Sequence, residues 1–160
     1  LVRDGFAILK VGPELTFVLR EAIYALDLIA SDLLPDYGDR PLYHEMETVM
    51  QSAPENWARH YHGSRAQQRQ MRHYSLSDRI RYYWSTPQAQ AAVIRLLEAL
   101  RGQIVPKPLM WQHMPHTAHA ADKALEPEDI LIERVRDSLS TYHAACHPKD
   151  ATSHIKELTT

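Results

Sequence analysis

The sequence predicts a mainly α fragment with one strand, and three observations lead there. Phe6–Val11 (FAILKV) is almost wholly apolar, the pattern of a strand buried on both faces. Gly12 and Pro13 follow it, and an apolar stripe at steps of three and four then runs to Leu33. Beyond residue 35 the chain reads as helices separated by Pro- and Gly-bearing turns.

Phe6–Leu34 is one β/α unit. Gly12 admits backbone angles that other residues resist, and Pro13 suits the first helical position, where a missing N–H costs nothing. Leu15, Leu19, Ala22, Leu26, Ile29 and Leu33 make the stripe, with Glu14, Glu21, Asp27 and Asp32 falling away from it. A buried strand needs neighbours for its N–H and C=O groups, and no other segment reads as a convincing strand. Leu1 is not an initiator Met, and Leu1–Gly5 reads as the tail of a preceding helix. The expectation is a chain cut from a larger α/β protein: residues 1–34 a β/α unit, 35–146 a helical region, and 147–160 a flexible tail.

Pro35–Pro41 is a loop, and Leu42–Gln51 a short helix with Leu42, Met46, Val49 and Met50 on one face. Ser52 and Glu55 have capping-box spacing, which predicts a helix carrying Trp57 and Tyr61 and stopped by Gly63. Ser64–His73 is a polar helix for the surface or a partner, its apolar content little beyond Met71. In Tyr74–Trp84, Ser75 or Ser77 caps a helix and Asp78 sits at its positive end. Leu76, Ile80 and Tyr83 or Trp84 are its buried face. Thr86-Pro87 starts the next helix, with Ala89, Val93, Leu96, Leu97 and Leu100 inward and Gly102 as its stop. Val105–Pro108 is an extended linker, and Pro115 kinks whatever forms over Leu109–Ala121. Pro127 opens the last helix, with Leu131, Val135, Leu139, Tyr142 and Cys146 on one face.

Net charge −2, 44% hydrophobic residues and mean hydropathy −0.42 describe an ordinary soluble composition and argue against general nucleic-acid binding. No apolar run approaches the ~20 residues of a membrane span. Cys146 is the one cysteine, so no disulfide framework or thiolate metal cluster forms, and a reducing cytoplasm is the expected setting.

Where could chemistry reside? A strand ending in Gly12 and feeding a helix points backbone N–H groups at an anion, with Lys10 beside them. A plain β–α turn is the alternative, since Pro13 removes a donor and Glu14 repels. Trp57–Trp84 holds Arg59, Arg65, Arg69, Arg72, Arg79 and Arg81 against one acid, Asp78, with tyrosines between. Such a set grips a sugar phosphate, an acidic partner or single-stranded nucleic acid, or forms a solvated face. Ser75, Ser77, Asp78 and Arg79 read as a structural network, Asp78 and Ser77 fixing Arg79, while Arg81 is freer to reach a phosphate or partner. The histidine pairs lack an acidic ligand at diagnostic spacing, and no catalytic or metal set is complete.

Phe6–Ala22, Tyr74–Trp84 and Tyr142-His-Ala-Ala-Cys146 closely resemble the C-terminal part of the non-catalytic (Z) subunit family of class II D-tagatose-1,6-bisphosphate aldolase, formerly described as tagatose-6-phosphate kinases. The resemblance runs from residue 1 to about His147. It implies a TIM (β/α)₈ barrel with a helical C-terminal extension, in which Phe6–Val11 is the eighth strand and residues 13–34 the eighth helix. It further implies an accessory subunit that supports a separate, zinc-bearing catalytic aldolase subunit, with no cofactor in this segment. Galactitol, tagatose and amino-sugar catabolism are the implied setting. Trp111-Gln-His-Met-Pro115 departs from the family's more frequent Ser-Gln-Tyr-Leu-Pro.

Two alternatives stand beside the accessory subunit. One is a metal-dependent ketohexose-phosphate 4-epimerase of the same family. The other is a nucleic-acid-binding helical module using Trp57–Trp84, which requires one contiguous basic face. A kinase has no support, since P-loop and kinase signatures are absent.

Overall fold

Pro13 sets the start of the first helix, its carbonyl accepting from Phe17 N at 2.8 Å. It stands at the N-cap, one place before the expected first turn position. The structure, a computed structural model, describes residue 10 and residues 12–146. The strand expected over Phe6–Val11 therefore lies outside the described residues except for Lys10, and so does the segment 147–160. The described residues are mainly helical and contain no strand.

Helix α1 spans Glu14–Leu33. It is more central than one stripe implies: Ile23, Tyr24 and Ala25 are buried as well as Ala22, Leu26 and Ile29. A helix apolar on most sides is the buried middle of a bundle. It runs along α6 (Pro127–Cys146) and packs against α2 (Pro41–Ser52), α4 (Pro87–Leu100) and α5 (Lys107–His113). Leu26, Leu42, Met46, Met50, Ile80, Leu96 and Leu100 fill the space between them.

Three local expectations are corrected. Ser52 is the last residue of α2, and a 3₁₀ turn at Pro54–Asn56 follows it without a side-chain cap. The capping box sits at Ser64 instead: Ser64 Oγ accepts from Gln67 N and Gln67 Oε1 accepts from Ser64 N, opening α3 (Arg65–Tyr74). Trp57 and Tyr61, expected on a helix, lie on a turn and just past its end, their rings stacked at 6.5 Å. Trp57 Nε1 donates to Met50 O at 2.6 Å. In Tyr74–Trp84 the helix is a short 3₁₀ turn, Arg79–Tyr82, with Asp78 at its start in left-handed backbone and no serine cap. Ile80 and Tyr83 are buried as expected, but Leu76, on the turn that precedes this segment, is 78% exposed.

The later elements follow their local signals. Thr86 Oγ1 accepts from Ala89 N to cap α4, and Gly102 takes the left-handed angle just past the helix end. Ile104, just before the expected Val105–Pro108 linker, forms one antiparallel bridge with Ala124, and the linker is shorter than expected because Lys107 and Pro108 already belong to α5. Helix α5 ends at His113, and Pro115 starts a 3₁₀ segment to Ala120. On α6 the expected stripe is only partly covered, Leu139 being 44% exposed. No helix of the described residues is long and apolar enough to cross a membrane.

Candidate functional site

Polar groups inside the bundle gather where α1, α2 and α3 meet. Asp27, expected on the outer side of α1, has no exposed surface. One carboxylate oxygen accepts from Tyr37 Oη (2.8 Å) and Leu42 N (3.3 Å), the other from Tyr43 N (3.1 Å). Asp27 thus caps α2 from a different helix, supplying what Arg40, the residue before Pro41, does not. Burial raises its pKa, the three hydrogen bonds opposing it.

One turn earlier on α1, Tyr24 Oη lies 2.6 Å from His73 Nδ1, and His73 Nε2 lies 2.9 Å from Glu47 Oε2. Glu47 also takes two donors from Arg72, Nε at 2.9 Å and Nη2 at 2.5 Å. The His73 ring stacks on Tyr43 at 3.9 Å. Burial pushes the His73 pKa down to about 4 against the pull of Glu47. Burial alone would raise Glu47, but the Arg72 and Gln51 hydrogen bonds outweigh it and hold the carboxyl at about 2. At neutral pH the carboxylate is therefore charged and the imidazole neutral. A carboxylate only accepts, so Nε2 carries the ring proton and Nδ1 accepts from Tyr24. The chain holds each group in one orientation, and its tyrosine is kept protonated by burial.

Openings lie on both sides of this chain. One, about 720 Å³, is bordered by Glu47, Trp57, Arg65, Arg69 and Arg72. The other, about 350 Å³, is bordered by Arg20, Tyr24, Arg40, Tyr74 and His113. Arg20 Nε donates to Asp78 Oδ1 at 2.7 Å, both side chains being almost fully buried.

That ion pair corrects the expected partner of Arg79. Asp78 is taken by Arg20, and Arg79 instead donates from Nη1 to Asn56 O at 2.9 Å and from its backbone N to Tyr61 Oη at 3.3 Å. Ser75 and Ser77 hydroxyls lie 2.9 Å apart, with Tyr61 Oη 3.0 Å from Ser77 Oγ. Arg81 is less free than expected: Nη1 donates to Ser77 O (2.5 Å) and Asp78 O (3.0 Å), and Nη2 to Tyr82 Oη (2.6 Å). Lys10 and Gly12 are exposed before α1. Arg72, Arg79 and Arg81 are thus engaged by protein groups; Arg59, Arg65 and Arg69 are exposed, Arg69 still donating from Nε to Tyr43 Oη at 3.2 Å. A contiguous basic face of all six is not present.

Tyr24, Glu47, His73, Arg20 and Arg40 escaped the sequence reading. Among the described residues no group of three or more His, Cys, Asp or Glu could hold a metal ion.

The fold and site define a helical module around a buried ionic and aromatic network, with arginines at its openings. The family is shown by sequence: the chain belongs to the GatZ/KbaZ-like family, described as D-tagatose-1,6-bisphosphate aldolase subunit GatZ/KbaZ-like, which matches residues 1–147. It is 54% identical over 145 residues to a D-tagatose 6-phosphate 4-epimerase of Agrobacterium fabrum, covering 91% of this chain and 34% of that protein. A solved structure, a probable tagatose 6-phosphate kinase from Sinorhizobium meliloti 1021, matches with TM-score 0.82 and 47% identity, over 91% of this chain and 38% of that one. The chain thus spans about a third of the curated relative's length.

Proposed function

We propose that the chain is the C-terminal helical part of a ketohexose-phosphate 4-epimerase, the last β/α unit and extension of a TIM barrel. The observation that carries this reading is the 54% identity to a relative named for that activity. Helix α1, buried among later helices, suits a barrel helix bearing an extension. No described cluster fits a metal, so the role of these residues is to position α1 and hold the anionic end of a substrate. Lys10 and Gly12, exposed before α1, are the proposed phosphate or partner contacts. Arg81 is assigned to holding the Ser77–Tyr82 turn.

The family description, that of an aldolase subunit, supports a second reading in which the chain belongs to the accessory subunit of a class II aldolase. Full-length protein, incubated with D-tagatose 6-phosphate and a divalent metal, separates the two. Conversion to the C4 epimer without any aldolase subunit supports the first. Inertness alone, with stimulation of an added class II aldolase subunit, supports the second.

A further inference from the structure

The smaller cleft, between α1, the turn into α2, the end of α3 and α5, carries two guanidiniums whose hydrogen-bonding capacity is not used up. Arg20 is 3% exposed, and beyond its Nε bond to Asp78 its Nη2 has no partner among the described residues. Arg40 Nε is also buried and unpartnered there. Buried N–H groups of a cation seldom stay unsatisfied, so each calls for an acceptor beyond the described residues, although Asp78 Oδ2, on the carboxylate that Arg20 already holds, is buried and unpartnered too.

The surrounding charges agree. Glu21, on the rim, is paired with Arg134 at 3.1 Å, and Asp78 with Arg20. His113 faces Asp32 at 3.3 Å. Asp27 spends both carboxylate oxygens on Tyr37 and the start of α2. Arg40 makes no ion pair among the described residues: it meets Tyr74 Oη at 3.4 Å and the faces of Tyr43 and Tyr24 at 4.2 and 5.9 Å. Arg40 thus feels the buried Asp27 carboxylate only at a distance, with no acceptor bound directly to its guanidinium except the Tyr74 hydroxyl. Backbone strain points to the same place. Arg40 and Asp78, which place the two guanidiniums, are two of the three described non-glycine residues with positive φ, at 46° and 48°. Such conformations cluster where geometry serves a ligand.

We propose that this cleft binds a phosphate group, free or as a small monoester, through Arg20, Arg40 and the Tyr74 hydroxyl. A planar guanidinium presents paired donors that match phosphate oxygens, and Tyr74 adds a neutral donor at the mouth. Arg20, fixed by Asp78, is the rigid wall, and Arg40 brings the second guanidinium, with its Nε buried and unpartnered among the described residues. The site stands on these contacts whether or not the epimerase reading holds.

Titration of the full-length protein with inorganic phosphate at low ionic strength, by calorimetry, tests it. Saturable binding at one site is expected, weakened about 10- to 100-fold in Arg40→Ala, as for one charge-assisted contact. Arg65→Ala, on the larger cleft, leaves it unchanged, and Tyr74→Phe weakens it about threefold or more. Glycerol 1-phosphate binding more tightly than phosphate, with the same loss in Arg40→Ala, identifies a monoester as the ligand; equal affinity identifies the free ion. Absence of saturable binding, or an Arg40→Ala protein binding like the wild type, overturns the proposal. So does an equal loss in Arg65→Ala, which would mean general attraction to basic surface. Should Arg40→Ala not fold, Tyr74→Phe decides, and unchanged affinity in it overturns the proposal.

Discussion

Acid should loosen this protein through His73. The imidazole has no exposed surface, and burial lowers its pKa from an ordinary 6.5 to about 4, with Glu47 opposing and Arg72 and Arg69 assisting. Between those values the unfolded chain binds a proton that the folded chain refuses. Stability therefore rises with pH across the window and falls as pH drops from 6.5 toward 4. At ~1.4 kcal/mol per pH unit, that interval amounts to about 3 kcal/mol by pH 4. Glu47 acts lower down: its folded pKa is depressed from 4.5 to about 2, so its contribution is present above 4.5 and lost only as pH falls through 2. The assay is urea unfolding at pH 7.0, 5.5 and 4.5, followed by tryptophan fluorescence, on the full-length protein and His73→Gln. Glutamine keeps an N–H for Glu47 and an oxygen for Tyr24 but does not titrate. The variant should start less stable, having lost the stack on Tyr43, yet lose about 2 kcal/mol less between pH 7.0 and 4.5. Equal slopes for the two proteins would refute the reasoning.

Three further outcomes are expected. Leu26→Ala, at a position with no exposed surface, should cost about 2–5 kcal/mol, and Leu19→Ala, at a half-buried one, clearly less; equal losses in chemical denaturation would mean the burial is misassigned. Gly63→Ala should cost about 1–2 kcal/mol, since Gly63 has φ +106° and an added Cβ lies 2.6 Å from Gln67 Oε1, the acceptor of the capping box; an unchanged melting midpoint would contradict this. Arg79→Lys and Arg81→Lys should each lower the midpoint by the equivalent of about 0.5–1.5 kcal/mol, because both guanidiniums donate to backbone carbonyls. An Arg81→Lys protein that melts like the wild type would return Arg81 to the role of a free contact.

Helices announced by a local signal were legible in the sequence. Thr86-Pro87 and Pro127 each mark a start that the structure keeps, because a proline's missing N–H and fixed φ act within one turn, while α2 starts at Pro41, one residue before the expected Leu42. The same capping rule misled at Ser52 and was overlooked at Ser64-Arg-Ala-Gln67, where the side chains obey it. Leu76 was misplaced because no helix reaches it: it lies on the turn before the 3₁₀ segment Arg79–Tyr82. The site was hardly legible at all. Tyr24, Glu47 and His73 come from three helices, 49 and 26 residues apart along the chain, and each alone reads as a surface polar residue. Asp27 likewise sat outside the apolar stripe, and only the arrival of α2 gives it a reason to be buried. Pairings at such separations are fixed by packing, and no spacing rule reaches them.

Central to this account is the reading of the chain as part of a tagatose-phosphate 4-epimerase, and ¹³C NMR on one labelled sugar tests it most directly. D-Tagatose 6-phosphate carrying ¹³C at C4 is incubated with the full-length protein and a divalent metal, with no aldolase subunit present. The account predicts that the C4 resonance of the substrate is replaced, in proportion to enzyme, by that of its C4 epimer, until the two reach a constant ratio. A spectrum that does not change, from a protein that nonetheless raises the rate of an added class II aldolase subunit, would contradict it.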